Sequence, residues 1–307
     1  MSLTKKHILV TGASGLIGTR LTALLTQNGY QVSHLGRKAK SGAIPTYVWD
    51  IAKQTIDTKA LQGVDAIIHL AGAGIADKPW TKARKQELLE SRTHSTRLLF
   101  QTLKNETHQV KQLISASAIG YYGFAPQEHI LNEDAQPGKD FLAEVTQAWE
   151  NEVDKFTSLM QQTAKLRIGI VLSTQGGALK PMLLPVKFGV GSALGSGKQM
   201  ISWIHIDDIC KQFLFLLENP NLQGAFNGVA PNPLSNKEFT KVIGKVLNRP
   251  VWLPAVPSFL LKLFLGEMVN LVIQGNAVSC DKMQQAGFNF TFTRAEDAIQ
   301  HLVLNKL

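Results

Sequence analysis

An apolar run, Ile8-Leu9-Val10, leads directly into Thr11-Gly12-Ala13-Ser14-Gly15-Leu16-Ile17-Gly18. Few sequence features restrict a fold as tightly. The run reads as a buried parallel strand, and the glycines mark a turn into a helix whose first turn carries Leu16 and Ile17. Each glycine meets a separate requirement. Gly12 allows a tight turn, Gly15 lets the backbone approach a pyrophosphate, and Gly18 lets the helix pack closely on the strand. Free N–H groups at the helix start, with the positive end of its dipole, then hold phosphates. Gly12, Ser14, Gly15, Leu16 and Ile17 are therefore expected to contact a dinucleotide. The competing reading is a turn needed only for packing.

The pattern continues along the chain. Strands are expected at His7–Thr11, Gln31–Leu35, Thr46–Trp49, Ala66–Leu70, Gln112–Ser115, Ala164–Leu172 and Gly224–Val229. Helical patterns fill the gaps at Leu16–Asn28, Lys82–Asn105 and Phe141–Gln162. Alternation of this kind implies an α/β fold with a doubly wound parallel sheet, and 44% hydrophobic residues supply its core. From Gly176 to Gly197 the chain turns rich in glycine and proline. Helical patterns return at Asn236–Leu247 and Ser258–Ile273. The expected division is a nucleotide-binding domain of 1–172 plus 204–230, and a smaller, mostly helical substrate domain of 173–203 plus 231–307.

The Ser258–Ile273 segment is apolar but only about 16 residues long, against roughly 20 for a bilayer span. It also holds Lys262 and Glu267, so it is expected to be a core or docking helix. Cys210 and Cys280 are the only cysteines, which builds neither a disulfide framework nor a zinc site. With Lys5-Lys6 running straight into the first strand, a cytoplasmic protein is expected. The net charge of +9 raises nucleic-acid binding. The basic residues are spread along the chain without a basic-aromatic module, so a solvated basic surface is expected and neither nucleic acid nor membrane is a partner.

The second strand ends Gly36-Arg37-Lys38, with no acid. A carboxylate there would accept from the adenosine ribose hydroxyls and repel a 2′-phosphate, whereas Arg37 and Lys38 attract one. The expected cofactor is NADP. Asp50, after the third strand, is a candidate for the adenine amino group or a simple turn residue. His69-Leu70-Ala71-Gly72-Ala73-Gly74 closes the fourth strand. The small residues let Leu70, Ala71 and Gly72 lie against the cofactor, and His69 reads as a strand residue with a structural hydrogen bond.

Together these pieces resemble the extended short-chain dehydrogenase/reductase family, which includes nucleotide-sugar epimerases and dehydratases. Ser115-Ala116-Ser117, Tyr122-Gly123, Arg167 and Trp203-Ile204-His205-Ile206-Asp207-Asp208 add to the resemblance. More narrowly, Ile75-Ala76-Asp77-Lys78-Pro79-Trp80-Thr81, Ser117–Gly123, Gly176-Gly177-Ala178-Leu179 and Leu265-Gly266-Glu267-Met268 resemble the "epimerase family" branch. The resemblance implies a dinucleotide fold and a small-molecule substrate between the domains. It further implies a homodimer, paired through the helices after the fourth and fifth strands.

The parent family is expected to use a Ser or Thr with a Tyr and a Lys spaced YxxxK, one helical turn apart. The lysine lowers the tyrosine pKa so that the phenol can exchange a proton while hydride moves. Ser117 matches the serine. Phe141 and Val145 stand where the tyrosine and lysine are expected, and neither transfers a proton. The remaining catalytic candidates are Ser117 with Tyr121 or Tyr122, the alternative for Tyr122 being a packing role. Lys78 and Arg92 are candidates for an anionic substrate. The resemblance makes Glu133 a candidate substrate-side carboxylate, with a surface turn as the alternative. His205, Asp207 and Asp208 form a tempting cluster, with Asp207 read as a helix cap; no metal is expected. The sequence thus supports an NADP-dependent oxidoreductase or epimerase-like enzyme. A non-catalytic NADPH sensor or regulatory protein is the alternative.

Overall fold

A computed structural model of the chain describes residues 6–39, 42–124 and 129–304. The first half runs β1 (His7–Thr11), α1 (Leu16–Gln27), β2 (Gln31–Gly36), β3 (Thr46–Asp50), β4 (Thr55–Ile56), β5 (Ala66–His69), α2 (Lys82–Asn105), β6 (Gln112–Ala118) and α3 (Phe141–Asp154). Next come β7 (Gln162–Ile168), β8 (Ile170–Leu172), α4 (Leu179–Lys187), β9 (Met200–Ile201), β10 (Trp203–His205), α5 (Ile206–Glu218) and β11 (Gly224–Gly228). The last elements are β12 (Leu234–Ser235), α6 (Asn236–Val246), α7 (Ser258–Leu265), α8 (Asn270–Ile273), α9 (Asp281–Gln285) and α10 (Ala295–Leu304).

The main sheet has the order β11-β7-β6-β5-β1-β2-β3-β4. All its pairings are parallel except β3 with β4. Ile8, Leu9, Val10, Ala66, Ile67 and Ile68 are fully buried, as continuous apolar strands must be when helices cover both faces. The winding direction reverses between β1 and β5, so a crevice opens at their C-terminal ends. This is the doubly wound fold. A second apolar cluster joins Leu172, Leu179, Trp203, Phe239, Ile243 and Ile299.

Three expected elements differ. The strand over 164–172 is broken at Gly169, where a Cβ would stand 2.4 Å from the Ser202 carbonyl oxygen. There the chain leaves the main sheet and β8 pairs with β10. The helix expected to reach Gln162 stops at Asp154, because Gln162 is already the first residue of β7 and its side chain is buried. The segment 258–273 is two helices, interrupted at Gly266 with φ of 55°. None of α7's residues is buried, so it is not a core helix. Among the described residues no helix is long and apolar enough to cross a membrane.

Candidate functional site

The crevice holds a cleft of about 950 Å³. Its floor is the glycine turn, and its walls include Arg37, Lys38, Trp49, Ile51 and the stretch Leu70–Ala73. Gly12 has φ of 66°, and a Cβ there would lie 2.7 Å from the backbone of Leu70. A Cβ on Gly18 would lie 2.4 Å from the Gly12 carbonyl oxygen. The turn is therefore clamped between α1 and the end of β5. Gly15 caps α1 without a side-chain hydrogen bond, which leaves the helix start open to an anion.

Thr11 ties the two crevice strands. Its Oγ1 accepts the N–H groups of Leu70 and Ala71 at 3.1 and 3.2 Å. It therefore gives its own proton to His69 Nδ1, 2.8 Å away. His69 Nε2 then donates to Thr96 Oγ1 at 3.0 Å, which donates to the Arg92 carbonyl at 2.7 Å. Burial pushes the His69 pKa down to about 4, which keeps the ring neutral in this chain of donors.

The remaining cofactor candidates are placed less uniformly. Leu16 lines an adjoining cleft rather than this one, and Ile17 packs partly against the main core. Asp50 is the last residue of β3, and its side chain pins the turn that follows. Its Oδ1 accepts from Ala52 and Lys53 N–H at 3.0 and 3.1 Å, and Ile51 takes the lining position instead. Lys78 is exposed. Arg92 is not poised for a substrate, because its guanidinium donates to the carbonyls of Leu88 and Ala73 at 2.9 and 3.0 Å. Burial, then the charge of Arg84, lowers its pKa to about 10. Arg84, only 6% exposed, donates to the Gly74 carbonyl and pairs with Glu87 at 2.7 Å. Two guanidiniums thus brace the loop after β5. A run of charges along a helix reads as a solvated face, so this bracing emerges only from the packing.

The end of the crevice beside β6 and β7 is built around a buried ion pair. Arg167 on β7 donates to both carboxylate oxygens of Glu150 on α3, at 2.8 and 2.9 Å. Lys165 lies 3.3 Å from the same carboxylate. Ser117, 3% exposed, donates to Glu150 Oε1 at 2.6 Å. Burial alone would raise the Glu150 pKa; the Arg167 hydrogen bonds and charge outweigh it and hold the group below its usual range. Neither Glu150 nor Lys165 was among the candidates. A signal existed: Lys165 and Arg167 are two cations two residues apart in an apolar strand, and buried cations require a carboxylate.

The two tyrosines part company. Tyr122 is 2% exposed, donates to Asn227 Oδ1 at 2.7 Å, and receives Arg167 at 3.1 Å. Burial pushes its pKa up to about 12. Tyr122 is thus a scaffold residue, which corrects its candidacy as a proton donor. Tyr121 is half-buried and lies against Arg167, 3.5 Å from guanidinium carbon to ring centroid. Glu133 is not a simple surface turn. Its carboxylate accepts Asn227 N–H at 2.7 Å and its carbonyl accepts Arg167, while burial raises its pKa. Asp140 caps α3 through Leu142 and Ala143 N–H, so Phe141 is the first helical residue. Its ring packs edge-on against Trp80, 5.3 Å between centroids. Val145 is buried.

His205, Asp207 and His301 bring ligand atoms within 4.8 Å of one another. Their hydrogen bonds to one another and to Arg20 engage part of this set. His205 Nδ1 accepts Asp207 N–H at 3.0 Å, so its proton sits on Nε2, 3.3 Å from His301 Nδ1. Arg20 already holds Asp207 Oδ1 at 2.6 Å. His205, not Asp207, caps α5. Asp208 is fully buried and anchors the C-terminal region through the N–H groups of Thr291 and Phe292.

Residues 8–144 match the NAD dependent epimerase/dehydratase family. "Epimerase family protein YfhF" of Bacillus subtilis (strain 168) is 35% identical over 302 residues, covering 98% of this chain and 99% of that relative. The chain belongs to the epimerase family. A second member, "Epimerase family protein SDR39U1 homolog, chloroplastic" of Arabidopsis thaliana, is 36% identical to this epimerase-family chain, over 96% of it and 86% of the relative. Residues 256–302 match DUF1731, a domain of unknown function. The crystal structure of human epimerase family protein SDR39U1 (isoform 2) with NADPH superposes with a TM-score of 0.86 at 28% identity, covering 97% of this chain and 99% of that one. UDP-N-acetylglucosamine 4-epimerase from Bacillus cereus shares the fold, with a TM-score of 0.80 at 17% identity over 98% of this chain and 99% of that one.

Proposed function

We propose that this epimerase-family protein binds NADP(H) and acts as an oxidoreductase or epimerase-like enzyme on a small polar substrate, with Tyr121 exchanging the proton. The carrying observation is that the dinucleotide cleft and a half-buried phenol share the C-terminal edge of one sheet. Arg37 and Lys38 line the cleft where a 2′-phosphate would lie, and the similar human protein was crystallised with NADPH.

When bound, the reduced cofactor supplies hydride to a substrate carbonyl carbon. The carbonyl oxygen then needs a proton, and Tyr121 is the phenol with surface left to give it. Arg167, fixed by Glu150, keeps a cation beside that phenol, where the parent family is expected to use lysine. Ser117 helps through Glu150, as a positioning residue. In the reverse direction Tyr121 takes the proton from a substrate hydroxyl as hydride leaves its carbon.

The second reading is a non-catalytic NADPH sensor. It is favoured by the Ser117 hydroxyl, which faces Glu150 rather than open space. Incubation of 4-deuterated NADPH with the protein and dialysed cell extract separates the two. An enzyme removes deuterium from one face only, and Tyr121→Phe slows that loss about a hundredfold. Absence of any loss favours the sensor. Equal loss with Tyr121→Phe removes Tyr121 from the mechanism.

A further inference from the structure

Helix α7 is Ser258-Phe259-Leu260-Leu261-Lys262-Leu263-Phe264-Leu265, and it turns its apolar side chains outward. Phe264 is 83% exposed, Leu263 77% and Phe259 71%. Trp252, just before it, is 72% exposed. Ala193 and Gly195 exchange backbone hydrogen bonds with Val256 at 2.9 Å, which sets the loop after α4 beside the segment leading to α7. That loop carries Phe188, 73% exposed, and Val190. An apolar face of this kind on a folded chain marks a contact surface.

Its electrostatic setting selects the occupant. Residues 176–203 and 231–266 carry eight Lys and Arg against one acid, Glu238. They therefore hold seven of the chain's nine surplus positive charges, a concentration that departs from the even spread expected above, and all eight cations are exposed. Lys187 adjoins Phe188, Lys262 lies within α7, and Arg249 precedes Trp252. Lys245 alone of the eight forms an ion pair among the described residues, with Glu296. The next acid after α7, Glu267, is bound to Lys85. Protruding aromatic and aliphatic side chains fringed by lysine fit an anionic, apolar-cored surface.

We propose that this face binds the surface of an anionic lipid bilayer, with Trp252, Phe259, Leu263 and Phe264 entering the headgroup boundary. A second copy of the chain is a poor occupant, because its matching face would bring the same surplus of positive charge. Nucleic acid would use the lysines and leave the protruding rings without a role. The shortness of the apolar segment excludes a span and leaves surface attachment open. Glu267 ties the end of α7 to Lys85, whose ammonium lies 5.1 Å from the Phe141 ring centre. The attached face would therefore border the catalytic end of the cleft.

The test uses the full chain with vesicles of phosphatidylcholine alone and of phosphatidylcholine mixed with phosphatidylglycerol. Cosedimentation with the mixed vesicles only is expected, weakened by salt. Trp252 emission should shift to the blue, and Trp252→Phe should abolish the shift. The double change Phe259→Ser with Phe264→Ser should weaken binding about tenfold or more, with melting temperature and NADPH affinity kept. Lys187→Glu with Lys262→Glu should act likewise. Absence of cosedimentation, or binding indifferent to the phenylalanine changes, overturns the proposal. Self-association abolished by those changes, without vesicle binding, overturns it in favour of a second copy. DNA retention without vesicle binding overturns it in favour of nucleic acid.

Discussion

Arg167 grips Glu150 with two parallel hydrogen bonds inside the protein, and Ser117 completes the carboxylate's shell. A bidentate guanidinium–carboxylate pair of this sort is geometrically demanding. Both side chains are 5% exposed. Removing one partner leaves the other charge buried and unpaired. Glu150→Gln should therefore cost about 3–5 kcal/mol of stability, read as a lower denaturant midpoint. The paired change Glu150→Gln with Arg167→Met should recover part of that loss. The pH signature has a definite sign. A carboxylate whose folded pKa is depressed contributes fully above the unfolded value and loses that contribution as pH falls through the folded one. The wild-type protein should lose stability on acidification below about pH 4.5, and Glu150→Gln should lose less over that window.

A second acid-sensitive element lies under the cleft. His69, fully buried between Thr11 and Thr96, has its pKa lowered to about 4 by burial. An unfolded histidine takes up its proton near pH 6.5, so acid favours the unfolded chain from there down to the folded value. The loss attached to His69 is on the order of 3 kcal/mol across that window. Equilibrium unfolding at a series of pH values should show it. His69→Gln, which does not titrate, should flatten the curve between pH 6.5 and 4, and an unchanged slope would exclude His69 as its source.

The fold was legible because its signals are local. A continuous apolar strand, a glycine turn and an amphipathic helix each declare themselves within about a dozen residues. His69 also read correctly as a structural strand residue, since its neighbours on β5 are all apolar. The cluster of Ser117, Glu150 and Arg167 was less legible because its partners meet across long separations. Glu150 sits on a helix and Arg167 on a strand, and nothing in either segment names the other. The braces Arg84 and Arg92 hid inside a charge-rich helix that reads as solvated. Tyr121 and Tyr122 are adjacent in sequence yet differ in exposure because a short 3-10 turn, Ile119–Tyr122, sends one ring inward to Asn227 and leaves the other against Arg167.

Gly18 tests the clamp on the glycine turn. An added methyl group would stand 2.4 Å from the Gly12 carbonyl and 2.7 Å from Ala13 Cα, and backbone atoms yield only by moving the helix. Gly18→Ala should lower stability by about 1–3 kcal/mol. It should also weaken NADPH binding about tenfold or more, because the N–H groups of α1 lose their aim. Fluorescence titration of NADPH beside a melting curve checks both. A well-folded variant with unchanged affinity would detach the turn from the cofactor.

Arg37 tests the choice of cofactor. It lines the cleft together with Lys38, and no acid follows directly on β2. An arginine beside a 2′-phosphate is worth about a factor of ten or more in affinity, and the same residue contributes little to a ribose that lacks the phosphate. Arg37→Ala should therefore raise the Kd for NADPH about tenfold while leaving that for NADH nearly unchanged. Glu87 supplies an internal control. Its carboxylate lines the same cleft, and its pKa is held down by the hydrogen bond from Arg84 and by the charges of Lys78 and Arg37. That negative charge opposes a phosphate, so Glu87→Gln should tighten NADPH by about two- to fivefold, more at low salt than at high. Parallel titrations of both nucleotides at two ionic strengths resolve the effects. Equal affinity of the wild-type protein for NADPH and NADH would remove Arg37 and Lys38 from cofactor selection.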